Sequence, residues 1–238
     1  MISFVIPAWN EEANLPRTLR SVHEAAGAAG EPYEIVVADD GSEDRTGEVA
    51  AALGARVVRV AHRQIAATRN SGARAALGDV LVFVDADTAI DAEVLRGALD
   101  ALRAGAVGGG AGVRFDGRVP LYARILTRAL CVAFRRLGYA CGCFVFSTRA
   151  AFDAAGGFDE TMFGGEEIEI SRAIARHGRF VVLRACVLSS GRKMRTHSAL
   201  EILGTLLRIG IRGKRGVRRR EGMELWYGER RPDPEAAS

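Results

Sequence analysis

Short apolar segments alternate with amphipathic segments along the first hundred residues. Runs rich in β-branched residues predict buried strands at 2–6, 34–38, 56–60 and 80–84. Apolar residues at helical spacing predict helices between them, at 15–26, 42–53 and 65–77. Asn14 and Ser42 are the predicted caps of the first two helices, and Pro7 is expected to end the first strand. This alternation predicts an α/β fold with right-handed crossovers and a mainly parallel central sheet flanked by helices.

The second half of the chain is less regular. Segment 107–115 is rich in glycine but lacks a dinucleotide-binding fingerprint at a strand-to-helix junction, so we interpret it as a strand and turn that form the floor of the second half. Three short strands are predicted at 144–146, 180–183 and 187–189. Between these segments, an apolar stripe at helical spacing belongs either to a core or to an interface: Leu121, Ile125, Leu126 and Leu130.

Two carboxylates follow the most apolar of these strands. Asp85, Ala86 and Asp87 come directly after 80–84, and open α/β sheets bind ligands at the carboxyl ends of their strands. Two aspartates separated by one small residue supply the oxygen ligands that Mg²⁺ and Mn²⁺ prefer. The alternative is an aspartate-rich turn that caps a helix beginning near Asp91.

A second acidic pair follows the strand at 34–38. Asp39 and Asp40 can accept hydrogen bonds from a pyrimidine imide or from ribose hydroxyls, while Gly41 permits the turn. Parallel strands place the two acidic pairs on one rim of the sheet, which predicts a site there. The alternative, an Asp-Gly turn followed by a helix cap, accounts for the glycine and for part of the aspartates.

Arg69 lies between the two acidic pairs, near the start of the third predicted helix. Its planar guanidinium can bind a diphosphate through two parallel hydrogen bonds. The alternative is an arginine on the exposed face of a helix.

Composition fits an ordinary globular protein. The chain has 238 residues, of which 48% are hydrophobic and 26% charged, with a net charge of +4. Lys193 and Lys214 are its only lysines, so arginine carries the positive charge. A nucleic-acid-binding protein would show a basic face throughout, so we expect no nucleic-acid partner. No segment approaches the roughly 20 apolar residues of a membrane span, and no charged leader precedes the first strand, so a cytoplasmic protein is expected.

The four cysteines lack the paired spacing of a zinc site. Without a secretion signal, reduced thiols are expected at Cys131, Cys141, Cys143 and Cys186. Cys141 and Cys143 can hold a soft metal or form a strained disulfide, but packing is the favoured interpretation.

Four motifs, taken in order, resemble the nucleotide-binding half of the family 2 glycosyltransferases. They are the segment 6–12, the Asp39-Asp40-Gly41-Ser42 turn with Asp44 and Thr46, the segment 67–72, and Asp85-Ala86-Asp87. The resemblance continues through 156–160 and 165–167 and covers roughly residues 1–177. It implies the GT-A fold, in which a Rossmann-like half binds a nucleoside-diphosphate sugar and a more variable half binds the acceptor.

The resemblance implies a donor site. Asp40, and with it Asp39, would contact the nucleobase or ribose of a sugar linked to uridine or guanosine diphosphate. Pro7, Ala8 and Glu11 would line the same edge of the nucleotide.

The resemblance also implies a metal site. Asp85, Ala86 and Asp87 would form the motif that holds Mn²⁺ or Mg²⁺, with Asp87 preferred over Asp85 as direct ligand, and Arg69 would face the diphosphate. In several GT-A enzymes a histidine after the last strands completes the coordination, and His197 is the candidate. A surface histidine near a helix start is the alternative.

Glu167 occupies the family's catalytic-base position, where aspartate is commoner. A carboxylate there takes the proton of the acceptor hydroxyl. Glu166 and Glu169 share a helix face and are interpreted as supporting acids, or as acids of the first turn of a helix. The resemblance implies an inverting reaction. It also implies a non-processive one, because the Gln-x-x-Arg-Trp motif of processive members is absent.

Two other functions fit part of this pattern. A nucleotidyltransferase also binds metal with acids on such a sheet, but it opens with a glycine-rich phosphate loop, which 7–12 is not. A nucleotide-sugar-binding protein without transfer activity would lack a carboxylate, and both acidic pairs are intact.

The predicted organisation is one catalytic domain, 1–197, with a nucleotide-sugar-binding half, 1–104, and an acceptor half, 105–197. Residues 198–238 are predicted to form a basic amphipathic helix and tail. The sequence carries no signal of an oligomeric state.

The tail has an apolar face that leads into a basic cluster. Its apolar residues recur at helical spacing: Leu200, Leu203, Leu206, Leu207 and Ile211. Its basic residues follow: Arg212, Lys214, Arg215, Arg218, Arg219 and Arg220. This pattern is typical of a helix that lies flat on an anionic bilayer, which suits a lipid-linked acceptor met at the inner face of the membrane. The alternative packs the leucines against the catalytic domain.

Overall fold

The computed structural model describes residues 1–228, 231 and 233, and the side chains of residues 206 and 208–215 lie outside the described part. The described strands are β1 (Ile2–Ala8), β2 (Tyr33–Asp40), β3 (Arg56–Val60), β4 (Val80–Val84), β5 (Thr88–Ala89), β6 (Ala106–Phe115), β7 (Phe144–Thr148) and β8 (Arg179–Ser189). The described helices are α1 (Leu15–Ala29), α2 (Thr46–Ala52), α3 (Ile65–Ala75), α4 (Ala92–Arg103), α5 (Leu121–Leu137), α6 (Arg149–Ala154), α7 (Glu166–Ala175), α8 (Arg192–Thr196), α9 (Ala199–Val217) and α10 (Glu224–Tyr227).

The described strands form one sheet in the order β3-β2-β1-β4-β7-β6-β8-β5. β1 pairs in parallel with β2 and β4, and β2 pairs in parallel with β3. β7 runs antiparallel to β4 and β6, β8 runs parallel to β6, and β5 runs antiparallel to β8. The predicted α/β fold with a mainly parallel central sheet is confirmed. Its parallel half brings the carboxyl ends of β1, β2 and β4 to one rim.

Two predicted strands, β3 and β4, agree with the structure to the residue. The prediction that Pro7 ends β1 was wrong, because the strand continues to Ala8. β4 pairs with β1 only as far as Val5. Beyond Val5 the strand has one neighbour, and proline is tolerated at such one-sided positions. β2 extends to Asp40, which places both of its acids inside the ladder.

α2 begins at Thr46, so the prediction that Ser42 caps this helix was wrong. The Ser42 amide donates to Asp39 Oδ1 at 3.1 Å, and the Ser42 hydroxyl accepts from the amide of Asn10 at 3.0 Å. The amide bond closes the turn after β2, and the hydroxyl bond ties that turn to the loop after β1. Gly41 has a φ of 68°, which confirms that it permits the turn.

The strands predicted at 180–183 and 187–189 are one strand, β8. The polar break at Arg184 does not end the ladder, because the pairing of β8 with β6 shifts register between Gly110 and Gly112 and then resumes.

The glycine-rich segment is a strand because its neighbours approach it closely. A Cβ atom on Gly109 would overlap the carbonyl oxygen of Val181 and the ring of Phe146. Glycine therefore lets β6 pack between β7 and β8, and no role in phosphate binding is needed to explain it.

Both faces of the sheet are covered, which explains the continuous apolar strands. Phe4 and Ile6 of β1 point to the face covered by α1 and α4, in a core with Leu19, Val82 and Leu95. The intervening Val5 points to the opposite face, in a core with Leu81, Phe83, Phe158 and Ile170. This core fixes the positions of the loops at the rim of the sheet.

The stripe on α5 is not core. Ala123 is the buried residue of this helix, while Leu121, Ile125 and Leu130 are exposed. On α9, Ile202 is buried, whereas Leu200, Leu203 and Leu207 are exposed. The side chains of Leu206, Ile211, Arg212, Lys214 and Arg215 lie outside the described residues. Within the described part, no helix is long and apolar enough to cross a membrane.

Candidate functional site

A cleft of about 460 Å³ lies at the carboxyl ends of β1, β2 and β4 and extends to the start of α7. It brings together most of the predicted site residues: Pro7, Ala8, Glu11, Asp40, Arg69, Asp85, Ala86, Asp87, Glu166 and Glu167. The loops that follow parallel strands therefore converge with a helix from the second half of the chain, as expected for an open α/β sheet.

Three predicted site residues do not line this cleft. Asp39 is 7% exposed, and its Oδ1 accepts the amide of Ser42. Glu169 forms an ion pair of 2.8 Å with Arg172 on the surface of α7. His197 lies just after α8, with Nδ1 3.0 Å from the Thr196 hydroxyl.

Asp40 is buried and accepts four hydrogen bonds. Its Oδ1 accepts the amides of His62 and Arg63, at 2.6 and 2.8 Å. Its Oδ2 accepts the amide of Gln64 at 3.1 Å and the hydroxyl of Thr68 at 2.8 Å. Its lone pairs thus hold the loop between β3 and α3, while Asp40 also lines the cleft, so the predicted contact with the nucleobase or ribose stays a prediction.

Arg69 projects from α3 into the protein, between Asp85 and the first turn of α7, and its predicted contact with a diphosphate stays a prediction. Its guanidinium is 3% exposed and lies 2.7 Å from both Asp85 Oδ1 and Glu166 Oε1. It also donates to the carbonyl of Gly142 at 3.0 Å. Although burial opposes its charge, the two carboxylates raise the pKa of Arg69 above its usual value. Arg69 thus joins the metal motif to the first turn of α7.

Asp87 has the features of a cation ligand. Its Oδ1 has only long contacts, 3.4 Å from the Thr88 hydroxyl and 3.5 Å from the Ser189 hydroxyl. Burial, together with the nearby Glu11 carboxylate, raises the pKa of Asp87 to about 6. A buried, weakly bonded carboxylate with an acidic neighbour would be stabilised by a cation.

The donor set suits Mg²⁺ or Mn²⁺. Within the described residues, no group of three or more His, Cys, Asp or Glu side chains is arranged to hold a metal ion. Magnesium is commonly bound by one or two carboxylates, with substrate phosphates and water completing its shell. Asp85 and Asp87 fit that arrangement as one or two carboxylate ligands. Arg69 binds one oxygen of Asp85, and Asp87 lines the cleft.

Glu11 closes the rim of the cleft opposite Arg69. Its carboxylate is 4% exposed and pairs with both terminal nitrogens of Arg192, at 2.7 and 3.3 Å. Asn14 also donates to it at 2.7 Å. This pair fixes α8 beside β1 and so places Lys193 in the lining of the cleft.

Glu167 lines the cleft from the first turn of α7. Burial, followed by repulsion from Glu166, raises the pKa of Glu167 to about 8. A Cβ atom on Gly142 would lie 3.4 Å from Glu167 Cδ, so glycine leaves the carboxylate room beside the loop before β7. A carboxylate with a pKa near neutrality suits a general base.

Sequence reasoning assigned no role to several aromatic residues of the cleft. The Arg63 guanidinium lies 3.6 Å from the centroid of the Trp9 ring. Trp226 and Tyr227 of α10 also line the cleft, and the Tyr227 hydroxyl accepts the amide of Ile65 at 3.5 Å. Trp9 lies within the segment 6–12, which the sequence already marked as a motif. No local pattern connects α10 with residues about 160 positions earlier in the chain.

The four cysteines are free. Cys141 and Cys143 line the cleft, and the Sγ atoms of Cys131 and Cys141 lie 3.9 Å apart. A disulfide between Cys141 and Cys143 was an alternative from the sequence. In the fold, the cysteine beside Cys141 is Cys131 of α5.

Comparison with curated proteins finds relatives for part of the chain. It is 39% identical over 99 residues to the undecaprenyl-phosphate 4-deoxy-4-formamido-L-arabinose transferase of Pseudomonas paraeruginosa, a match to 37% of this chain and 28% of that protein. It is 36% identical over 99 residues to the 4,4'-diaponeurosporenoate glycosyltransferase of Staphylococcus haemolyticus, a match to 39% of this chain and 25% of that protein. The matches thus span between a quarter and a third of these relatives.

Solved structures share the fold across most of the chain. The mannosyltransferase PcManGT of Pyrobaculum calidifontis, in complex with GDP-Man and Mn²⁺, has a TM-score of 0.68 at 20% identity and covers 86% of this chain and 59% of its own. The glucosyl-3-phosphoglycerate synthase of Mycobacterium tuberculosis, with Mn²⁺, UDP and glucosyl-3-phosphoglycerate, has a TM-score of 0.57 at 22% identity and covers 98% and 81%. These likenesses show that the predicted GT-A fold is correct.

The sequence profile of the family described as glycosyl transferase family 2 matches residues 3–154. That match spans more than half of the chain and includes β1 to β4, with both acidic pairs and Arg69. The predicted family is therefore confirmed, and the chain belongs to glycosyl transferase family 2.

Proposed function

We propose that this protein transfers a sugar from a nucleoside-diphosphate sugar, linked to uridine or guanosine, to an acceptor hydroxyl, with inversion and without processive polymerisation. The proposal rests on one observation above all: a single cleft holds the Asp85-Asp87 motif at one point and Glu167, a carboxylate with a raised pKa, at another. Glycosyl transfer needs a group that stabilises the departing diphosphate and a group that takes the acceptor proton.

The donor half of the cleft is built for a charged, planar ligand. Asp87 would hold Mg²⁺ or Mn²⁺ with the donor phosphates, and Lys193 from α8 supplies a positive charge to the same lining. A divalent cation there would act as a Lewis acid that neutralises charge on the leaving diphosphate. Trp9, with Arg63 above its ring, provides a flat surface beside Pro7 and Ala8 where a nucleobase can stack.

Glu167 is the proposed general base on the acceptor side. Arg69 is the proposed positioning residue, because it holds Asp85 with one terminal nitrogen and Glu166 with the other. The leaving-group end and the base end of the cleft are thereby tied through one guanidinium. His197 is not included in the proposed metal set, because it does not line the cleft.

The acceptor is proposed to be carried by a lipid. One relative is by name an undecaprenyl-phosphate sugar transferase, and another is by name a 4,4'-diaponeurosporenoate glycosyltransferase. The lining of the cleft includes the apolar side chains of Val113, Phe115 and Phe134. An apolar lining suits a hydroxyl attached to a hydrophobic chain better than a free sugar.

Changing Asp87 to Ala is expected to weaken metal-dependent nucleotide binding by roughly tenfold or more, as for other residues that hold a metal in place. Calorimetry with UDP or GDP, with and without Mn²⁺, measures this effect. Asp79→Ala is the control, because Asp79 is an exposed aspartate before β4 that pairs with the N-terminal amine at 3.4 Å. Equal affinity with and without Mn²⁺ in the unmodified protein would remove the proposed metal role.

Changing Arg218, Arg219 and Arg220 to Ser is expected to abolish salt-sensitive association with anionic vesicles. All three side chains are exposed, at the end of α9. Each basic residue near an anionic surface contributes roughly 1 kcal/mol. Vesicle sedimentation at low and high salt measures this association. If the unmodified protein fails to sediment with anionic vesicles at low salt, the acceptor is soluble and the peripheral contact is absent.

A further inference from the structure

The outer surface of α5 combines exposed apolar residues with arginine. Leu121, Ile125 and Val132 lie four and seven residues apart, so they form one line along the helix. Their exposed fractions are 69%, 60% and 37%. A helix in a globular domain normally turns such a line toward the core. Here the line is exposed, so no other segment of the described part of the chain covers it.

The charges on α5 are all positive. The helix contains Arg124, Arg128, Arg135 and Arg136, all exposed, and no acidic residue. Arg124, Arg128 and Arg135 lie along one flank of the apolar line, and Arg136 lies on its other side. Long arginine side chains can extend away from an apolar contact while keeping their charge in a polar layer.

The inner surface of the same helix faces the cleft. Phe134 lines the cleft together with Val113 and Phe115. Cys131, on the same inner side, contacts the backbone of Val113 and lies beside Cys141 of the cleft loop. One helix therefore lies between the cleft and an exposed apolar and cationic surface.

From these features we propose that the outer surface of α5, defined by Leu121, Ile125, Val132 and the four arginines, docks on an anionic lipid bilayer. Apolar side chains in the headgroup boundary flanked by basic side chains are the pattern of an interfacial helix. Docking through α5 brings the acceptor end of the cleft to the bilayer, so a lipid-borne hydroxyl reaches Glu167 without leaving the membrane surface. In that respect the inference rests on the proposed function, and it assigns the membrane contact to a second element besides the tail.

Two variants test the surface without touching the cleft. The first changes Leu121, Ile125 and Val132 to Ser, and the second changes Arg124 and Arg128 to Ser. Their matched controls are Leu77→Ser, an exposed leucine at the opposite rim before β4, and Arg20→Ser with Arg96→Ser, exposed arginines of α1 and α4. Because the altered residues are exposed, all variants are expected to fold, which thermal unfolding checks.

The measurement is sedimentation with vesicles of phosphatidylcholine and phosphatidylglycerol, compared with vesicles of phosphatidylcholine alone. The arginine variant is expected to lose roughly 25-fold in partition coefficient, about fivefold for each basic residue, and to show a weaker dependence on salt. The apolar variant is expected to lose binding at low and high salt alike, because hydrophobic contact is not screened. Both controls are expected to bind as the unmodified protein does.

Unchanged vesicle binding in both α5 variants would overturn the proposal. So would a stable dimer of the unmodified protein that both α5 variants convert to monomers, because the surface would then belong to a second copy. Calorimetry with UDP or GDP and Mn²⁺ separates this inference from the proposed function. Lost vesicle binding with intact nucleotide binding supports the α5 surface, whereas a protein that binds vesicles through α5 but no nucleotide contradicts the proposed function alone.

Discussion

Glu167→Gln is expected to lower the transfer rate by roughly 10²-fold or more while leaving nucleotide-sugar affinity unchanged. Glutamine keeps the size and most of the hydrogen bonding of glutamate, but it cannot take the acceptor proton. The donor phosphates are proposed to bind to a metal at Asp87 and to Lys193, which Glu167→Gln leaves unchanged, so their contacts remain. Turnover with a lipid-linked acceptor measures the transfer rate, and calorimetry with the donor measures the nucleotide-sugar affinity.

The pH profile gives an independent check on Glu167. Its pKa is raised to about 8, so the carboxylate is mostly protonated at neutral pH and becomes an effective base as the pH rises through that value. Transfer by the unmodified enzyme should therefore increase with pH in that range, and Glu167→Gln should lose this dependence. The control is Glu169→Gln, since Glu169 pairs with Arg172 outside the cleft. Full turnover by Glu167→Gln would move the base to Glu166 or remove the assignment.

The same raised pKa has a consequence for stability. Because the folded protein holds the Glu167 proton more tightly than the unfolded chain does, the contribution of this group to stability falls as the pH rises from its ordinary pKa of 4.5 through about 8. Glutamine does not titrate, so Glu167→Gln removes this loss of stability at high pH. The variant should thus unfold at a higher temperature than the unmodified protein above neutral pH, and the difference should shrink in acid.

Arg69→Ala is expected to destabilise the protein by about 3–5 kcal/mol. The change leaves Glu166, which is buried, and Asp85, which is partly buried, without the cation that lies 2.7 Å from each. It also removes the donor to the Gly142 carbonyl. Urea unfolding at neutral pH measures this loss.

Arg172→Ala is the matched control for Arg69→Ala. Arg172 also pairs with a glutamate of α7, at 2.8 Å from Glu169, but its side chain is 44% exposed. Exposed pairs contribute at most about 1 kcal/mol. If both variants lose the same small amount of stability, Arg69 is not the buried link between the metal motif and α7, and the proposed positioning role fails.

Local patterns predicted the parallel half of the sheet well. The segments that became β3 and β4 were predicted to the residue, because strands buried on both faces must be apolar or β-branched throughout. The convergence of Asp40 and Asp87 on one cleft also followed, since parallel strands end at the same rim. These features depend on residues close together in the chain and on a general rule of topology.

The roles of individual side chains in the cleft depended on distant contacts. Arg69 was predicted to face a diphosphate, but its partner Glu166 is 97 positions away and was brought to it by the packing of α7. Asp40 was predicted to contact a base, but the loop after β3 folds back and donates three amides to it. A side chain binds whichever group the fold brings near, and periodicity does not identify that group.

The sequence by itself determined the alternating α/β order, the family and the set of acids that could form a site. Those properties follow from hydrophobic period, from strand ends and from short motifs, all of which are local. Tertiary structure alone decided that α5 turns its apolar line outward, that α10 joins the cleft and that Arg69 links its two ends. The physical reason is that an amphipathic pattern specifies that an apolar surface exists, whereas the packing of the whole chain determines what covers it.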